Sequence, residues 1–100
     1  MKIRFSDHDK RLWREMADLC ERFLNRQTNL KSLVAGLEGL LDAGEFGDKE
    51  LRDRWYALWL PLEIRTATGE VEWSPDAARE AEALCSYLHD AIGTETRPRR

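Results

Sequence analysis

The sequence predicts an all-α protein, a compact antiparallel four-helix bundle with a proline kink in its third helix. Three observations predict it. Leu30, Leu33, Val34, Leu37, Leu40 and Leu41 gather on one face of a helix of period 3.6, whereas a strand would split them between its two faces. The same spacing returns in three other segments. The breaks between them are short and carry Asn, Gly or Ser, and short connections join helices that turn back on one another.

Residues 1–5, MKIRF, form a lead-in. Ser6 is a good N-cap, and Asp9 stands three residues later in the place of a capping-box acid. Leu12, Trp13, Met16, Leu19, Cys20, Phe23 and Leu24 then keep helical spacing. Asp7 and Asp9 at the start, with Arg22 and Arg26 near the end, complement the helix dipole, so the first helix is expected over 7–26. Thr28 or Asn29 caps the second, expected over 29–42. Its Gly36 and Gly39 each cost about 1 kcal/mol against alanine, which points to close approach by a neighbouring helix. Gly44 suits the left-handed conformation that ends many helices.

Asp48 caps a third helix carrying Leu51, Trp55, Leu58, Trp59 and Leu62. Pro61 interrupts it, since proline in a helix interior removes a hydrogen bond and clashes with the carbonyl four residues back, at about 3 kcal/mol. Two readings compete for the segment beyond the proline. The helix continues, kinked, through Ala67 and stops near Gly69; or it ends at Leu60, and residues 62–67 pair with 70–73 as a hairpin about a Thr-Gly turn. A lone two-stranded hairpin is marginal and no further strand is evident, so a kinked helix over 49–67 is the expectation. Ser74-Pro75-Asp76 opens the fourth helix with a cap, a proline at the first helical position and an acid in the first turn. Ala77, Ala81, Leu84, Cys85, Leu88 and Ile92 form its buried face over 75–92. Residues 1–93 make one domain, and 94–100, which have nothing to bury, a disordered basic tail.

Composition narrows the function. With 42% apolar and 35% charged residues the chain is globular, and a net charge of −3 gives no general attraction to nucleic acid or anionic membrane. Arg97, Arg99 and Arg100 offer salt-sensitive, non-specific contact at most. No apolar run approaches the roughly 18 residues of a membrane span, and the start MKIRFSDHDK lacks the apolar core of a secretory signal. The expected compartment is cytoplasmic, with Cys20 and Cys85 as free thiols.

Catalytic motifs are absent: there is no nucleophile elbow, phosphate-binding glycine loop or paired-histidine zinc motif. A non-catalytic protein is therefore expected. Two groupings bear on metal. Cys85 and His89 stand four apart on one helix face, with Cys20 on the facing stripe of the first helix, and Asp7-His8-Asp9 offers three donors in a row. Zinc needs about four ligands held tetrahedrally; the first set lacks an evident fourth, and adjacent residues in the second splay around the axis. Both cysteines are expected as buried, reduced core residues, with no metal and no cofactor.

Surface chemistry says more. The chain has four tryptophans, and Trp55, Tyr56 and Trp59 fall within one helix turn and a half. Trp55 and Trp59 read as core, while Tyr56 and Leu60, with Ile64 beyond the proline, point elsewhere and suit an aromatic-anchored interface. An acidic run, Glu38, Asp42, Glu45, Asp48 and Glu50, meets only Lys49. Asp48 and Glu50 belong to the start of the third helix. Asp42 and Glu45 sit instead where the second helix ends, and negative charge there is unfavourable by several tenths of a kcal/mol.

Leu30, Leu33, Leu37, Glu38, Leu40, Leu41 and Asp42, followed by an acidic loop and the tryptophan-rich helix at Trp55 to Leu62, resemble a group of small helical bacterial proteins. Some of that group are similar to immunity proteins of contact-dependent or polymorphic toxin systems, and the likeness covers roughly residues 28–68. The resemblance implies no catalytic residues. It implies a small protein-binding module, an immunity-type inhibitor of a positively charged toxin domain. The expected partner-binding residues are Glu38, Asp42, Glu45, Tyr56 and Leu60. A structural homo-oligomer pairing through the Tyr56 strip stands as the alternative, and a metal-binding protein or enzyme using the Cys85/His89 face ranks after it.

Overall fold

The structure, a computed structural model, describes residues 5–96 and the side chains of residues 5–91. Its elements are α1 (Asp7–Leu24), α2 (Leu30–Ala43), α3 (Lys49–Ala67) and α4 (Pro75–Thr96), with no strand among the described residues. Each start is built as its sequence implies. The side chains of Ser6, Asn29 and Asp48 accept hydrogen bonds from the backbone N–H groups of Asp9, Ser32 and Leu51, and Ser74 Oγ accepts from Ala77 N at 3.1 Å.

The ends depart more. α1 stops at Leu24 rather than 26, because Arg26 turns left-handed (φ 61°). The N–H of Arg26 then reaches Phe23 O and that of Gln27 reaches Arg22 O, a double-bonded Schellman turn made without glycine. The close of α3 uses the same turn with the favoured residue: Gly69 at φ 100° donates to Thr66 O, and Glu70 to Arg65 O. Gly44 is not left-handed. It ends α2 in an extended conformation (φ −97°, ψ 177°), and its want of a side chain matters for another reason: a Cβ there would lie 2.3 Å from the Phe46 ring. α4 continues through Gly93 to Thr96, so residues 94–96 of the expected tail are helical. Residues 97–100, which carry its arginines, lie outside the described residues.

Pro61 does not end α3. Proline lacks the N–H that would bond the carbonyl of Ala57, and Ala57 is exposed, where water can serve that carbonyl. The segment after α3 is tied to another helix instead of folding back as a hairpin. Val71 O accepts from Leu30 N at 2.8 Å and Lys31 N at 3.3 Å, satisfying two of the free donors at the start of α2.

α1 and α3 each pack against both α2 and α4, so neighbours in sequence are neighbours around the core and α4 closes onto α1. A radius of gyration of 13.3 Å agrees with about 13 Å for a compact domain of this length. Leu33, Leu37, Phe23, Met16, Leu62, Leu84 and Leu88 fill the interior with the fully buried Trp13 and Trp55. Indole N–H groups inside a core need acceptors. Trp13 Nε1 donates to Leu88 O (3.0 Å), Trp55 Nε1 to Met16 Sδ (3.3 Å) and Trp59 Nε1 to Val34 O (3.2 Å), so three tryptophans link α1 to α4, α3 to α1 and α3 to α2. Of the two glycines inside α2, Gly36 meets a neighbour: a Cβ there would lie 2.6 Å from Leu19 Cδ2 of α1, while one at Gly39 would meet nothing within 4 Å.

Candidate functional site

The junction of α2 and α3 is held from below by α1. Phe46 is buried with its ring 5.3 Å from that of Trp13 and 6.0 Å from that of Phe5. Asp9 is the one buried charged residue among the described residues, and its Oδ1 accepts the backbone N–H of Glu45 at 3.1 Å. The Asp9 carboxylate is thus engaged by the α2–α3 loop, while its N–H takes the Ser6 cap. His8 lies alongside, its Nε2 3.4 Å from Ala43 O at the end of α2. His8 and Asp9 therefore meet different backbone atoms, Ala43 O and Glu45 N.

Above this support, Leu41, Asp42, Gly44, Glu45, Phe46, Gly47, Arg52 and Tyr56 line an open depression of about 370 Å³. Three of the five residues expected to bind a partner, Asp42, Glu45 and Tyr56, meet there. Glu38 and Leu60 do not line it; both are exposed, one turn before Asp42 on α2 and one turn after Tyr56 on α3. Among the described residues, the carboxylates of Glu38, Asp42 and Glu45 form no ion pair. The acidic edge is not uniform, because Arg52 shares the depression, a cation that composition alone did not place there. The helix dipole also bears unequally on the two acids: Asp42 is in the last turn of α2, which has no basic residue, whereas Glu45 lies beyond Gly44 and outside the helix.

Tyr56 is 36% exposed, and its ring stands edge-on to Trp55 (5.1 Å) and Trp59 (5.8 Å), which stack on each other. Leu60 (48%) and Ile64 (52%) come next at intervals of four residues, so the three make an exposed apolar row along α3.

A second cluster joins α1 and α4. Cys85 and His89 project from α4 as the spacing implies, and the third member is Glu21 of α1, whose Oε2 is 2.7 Å from His89 Nε2. Cys20, the α1 residue that sequence spacing pointed to, is fully buried and stands outside this trio. Burial pushes both thiols up. The charges of Cys85 and Glu21 add to this at Cys20, and those of Glu21 and Glu82 at Cys85. Neither cysteine is set up as a free nucleophile. Glu21 had no mark in the sequence, because its place opposite His89 depends on which faces of α1 and α4 meet.

No family model, no curated protein and no solved structure matches the chain. No described helix is long and apolar enough to cross a membrane.

Proposed function

We propose that the protein is a non-catalytic binding module whose α2–α3 edge covers a positively charged protein partner, in the manner of an immunity-type inhibitor acting on a toxin domain in the cytoplasm. The observation that carries this reading is the meeting of Asp42 and Glu45 with Tyr56 around one depression, from which Leu60 and Ile64 continue as an exposed row. Rim carboxylates that form no ion pair among the described residues, with an aromatic anchor beside them, are what a basic partner can use. The charges speed encounter and set specificity, and the apolar row supplies buried area. In this reading consecutive helices run antiparallel across their short connections, and a bend at Pro61 sets the course of the Leu60–Ile64 row.

The test is affinity purification of the protein with its bound partner, followed by binding measurements on the reconstituted pair. Tyr56→Ser combined with Leu60→Ser should weaken binding by about tenfold or more, as loss of a central aromatic anchor does. Unchanged affinity would remove this edge from the interface. Sedimentation of the protein alone provides the contrast: a dimer abolished by Leu60→Ser would assign the row to a second copy of the chain.

A further inference from the structure

Glu21 on α1 faces Cys85 and His89, one turn apart on α4, and the ligand atoms of all three lie within 4.8 Å of one another. We propose that these side chains bind one zinc-class divalent ion per chain, across α1 and α4.

The donor set selects the ion. A thiolate, an imidazole and a carboxylate together suit a borderline metal such as zinc, whereas calcium and magnesium take oxygen ligands almost alone. The geometry is within reach. Bonds of about 2.0–2.3 Å place tetrahedral ligands roughly 3.3–3.8 Å apart. The 2.7 Å between His89 Nε2 and Glu21 Oε2 must therefore open by about 1 Å or less. Both side chains are about half exposed and free to make that adjustment. Cys85 is buried at the base of the trio, so the ion would sit with the thiol beneath it and the imidazole and carboxylate on its solvent side. The fourth position falls to water.

The surroundings favour a cation. Burial first, and then the charges of Glu21 and Glu82, hold the Cys85 thiol up, while the two carboxylates themselves attract a cation. On binding, the S–H bond of Cys85 breaks, its proton passes to the buffer, and the sulfur electron pair forms the bond to the metal. Since the ligands come from two helices that meet only in the folded chain, binding stabilises the fold.

The experiment uses the full chain, stripped with chelator and titrated with zinc chloride by calorimetry, with melting followed in parallel and cobalt(II) as a spectroscopic substitute. We expect one ion per chain, a zinc-dependent rise in Tm, and a sulfur-to-cobalt charge-transfer band that Cys85→Ser abolishes. Loss of even an outer-shell partner typically costs 10–100-fold in metal affinity, so Glu21→Gln and His89→Gln should each weaken zinc by at least about tenfold. Those two positions are exposed, so their variants should melt like the native apo-protein, and that melt separates lost binding from lost structure. Absence of the cobalt–sulfur band, or zinc affinity unchanged in Glu21→Gln and His89→Gln, would overturn the proposal and leave a histidine–carboxylate contact over a buried thiol.

Discussion

The Arg26 guanidinium lies over the Trp73 ring, 3.8 Å from its centroid, and joins the α1–α2 turn to the segment that leads into α4. The same arginine holds φ at 61°, a conformation that costs a residue with a side chain roughly 1–2 kcal/mol. A cation–π contact at an exposed site returns about 0.5–1 kcal/mol, less than that strain. Backbone and side chain at this position therefore oppose each other.

Arg26→Ala and Arg26→Gly separate the two effects. Alanine loses the ring contact and keeps most of the strain, so it should destabilise by about 0.5–1 kcal/mol. Glycine loses the same contact but adopts the left-handed turn freely, and should come out near the native protein or above it. Urea denaturation of both variants decides the matter. A glycine variant less stable than the alanine one would show that the turn is not strained.

The glycines make a second series, because each stands in a different space. Gly39 lies inside α2 with nothing within 4 Å of a Cβ, and Gly39→Ala should stabilise by about 0.5–1 kcal/mol through helix propensity. Gly36→Ala meets the terminal Cδ2 of Leu19, a half-buried side chain that can turn aside, and should fall within about 0.5 kcal/mol of neutral. Gly44→Ala places its Cβ against a ring that is itself wedged against Trp13 and Phe5. That ring cannot yield cheaply, and the expected loss is about 1–3 kcal/mol. Thermal melts of the three variants should rank them in that order.

Local chemistry was legible in the sequence, and tertiary neighbours were not. The caps at Ser6, Asp48 and Ser74 act within a few residues and read directly, as did the periodic faces that became the core. The continuation of helix beyond Pro61 was legible from the want of a further strand, but the tie of Val71 O to the start of α2 joins segments about 40 residues apart, and no local pattern announces it. Gly44 was legible as a helix end but not as the place where Phe46 comes in. Asp9 read as a first-turn acid, though its carboxylate holds the backbone of Glu45. At the α2–α3 edge, the acidic run and Tyr56 were separately visible; that Asp42, Glu45 and Tyr56 share one depression, with Arg52 among them, needed the fold.

Stability and binding should pull in opposite directions at Asp42. This carboxylate stands in the final turn of α2, where the helix end is negative and the turn itself carries no basic residue. Asp42→Lys removes an unfavourable term and adds a favourable one, so the fold should gain about 0.5 kcal/mol at low ionic strength. The gain should fade as salt shortens the screening length to about 8 Å and below. Glu45→Lys should change stability little: Glu45 lies beyond the helix, and its tie to Asp9 runs through the backbone N–H, which the substitution keeps. Binding should move the other way. With both residues reversed, a positively charged partner of the kind proposed would meet like charge across the rim, and affinity at low salt should fall by about tenfold or more, chiefly through slower association. A protein more stable yet poorer at binding would show that Asp42 serves a partner at the expense of the fold. Higher stability with undiminished affinity would instead make the acidic edge plain solvated surface, and would shift the interface toward the Leu60–Ile64 end of α3.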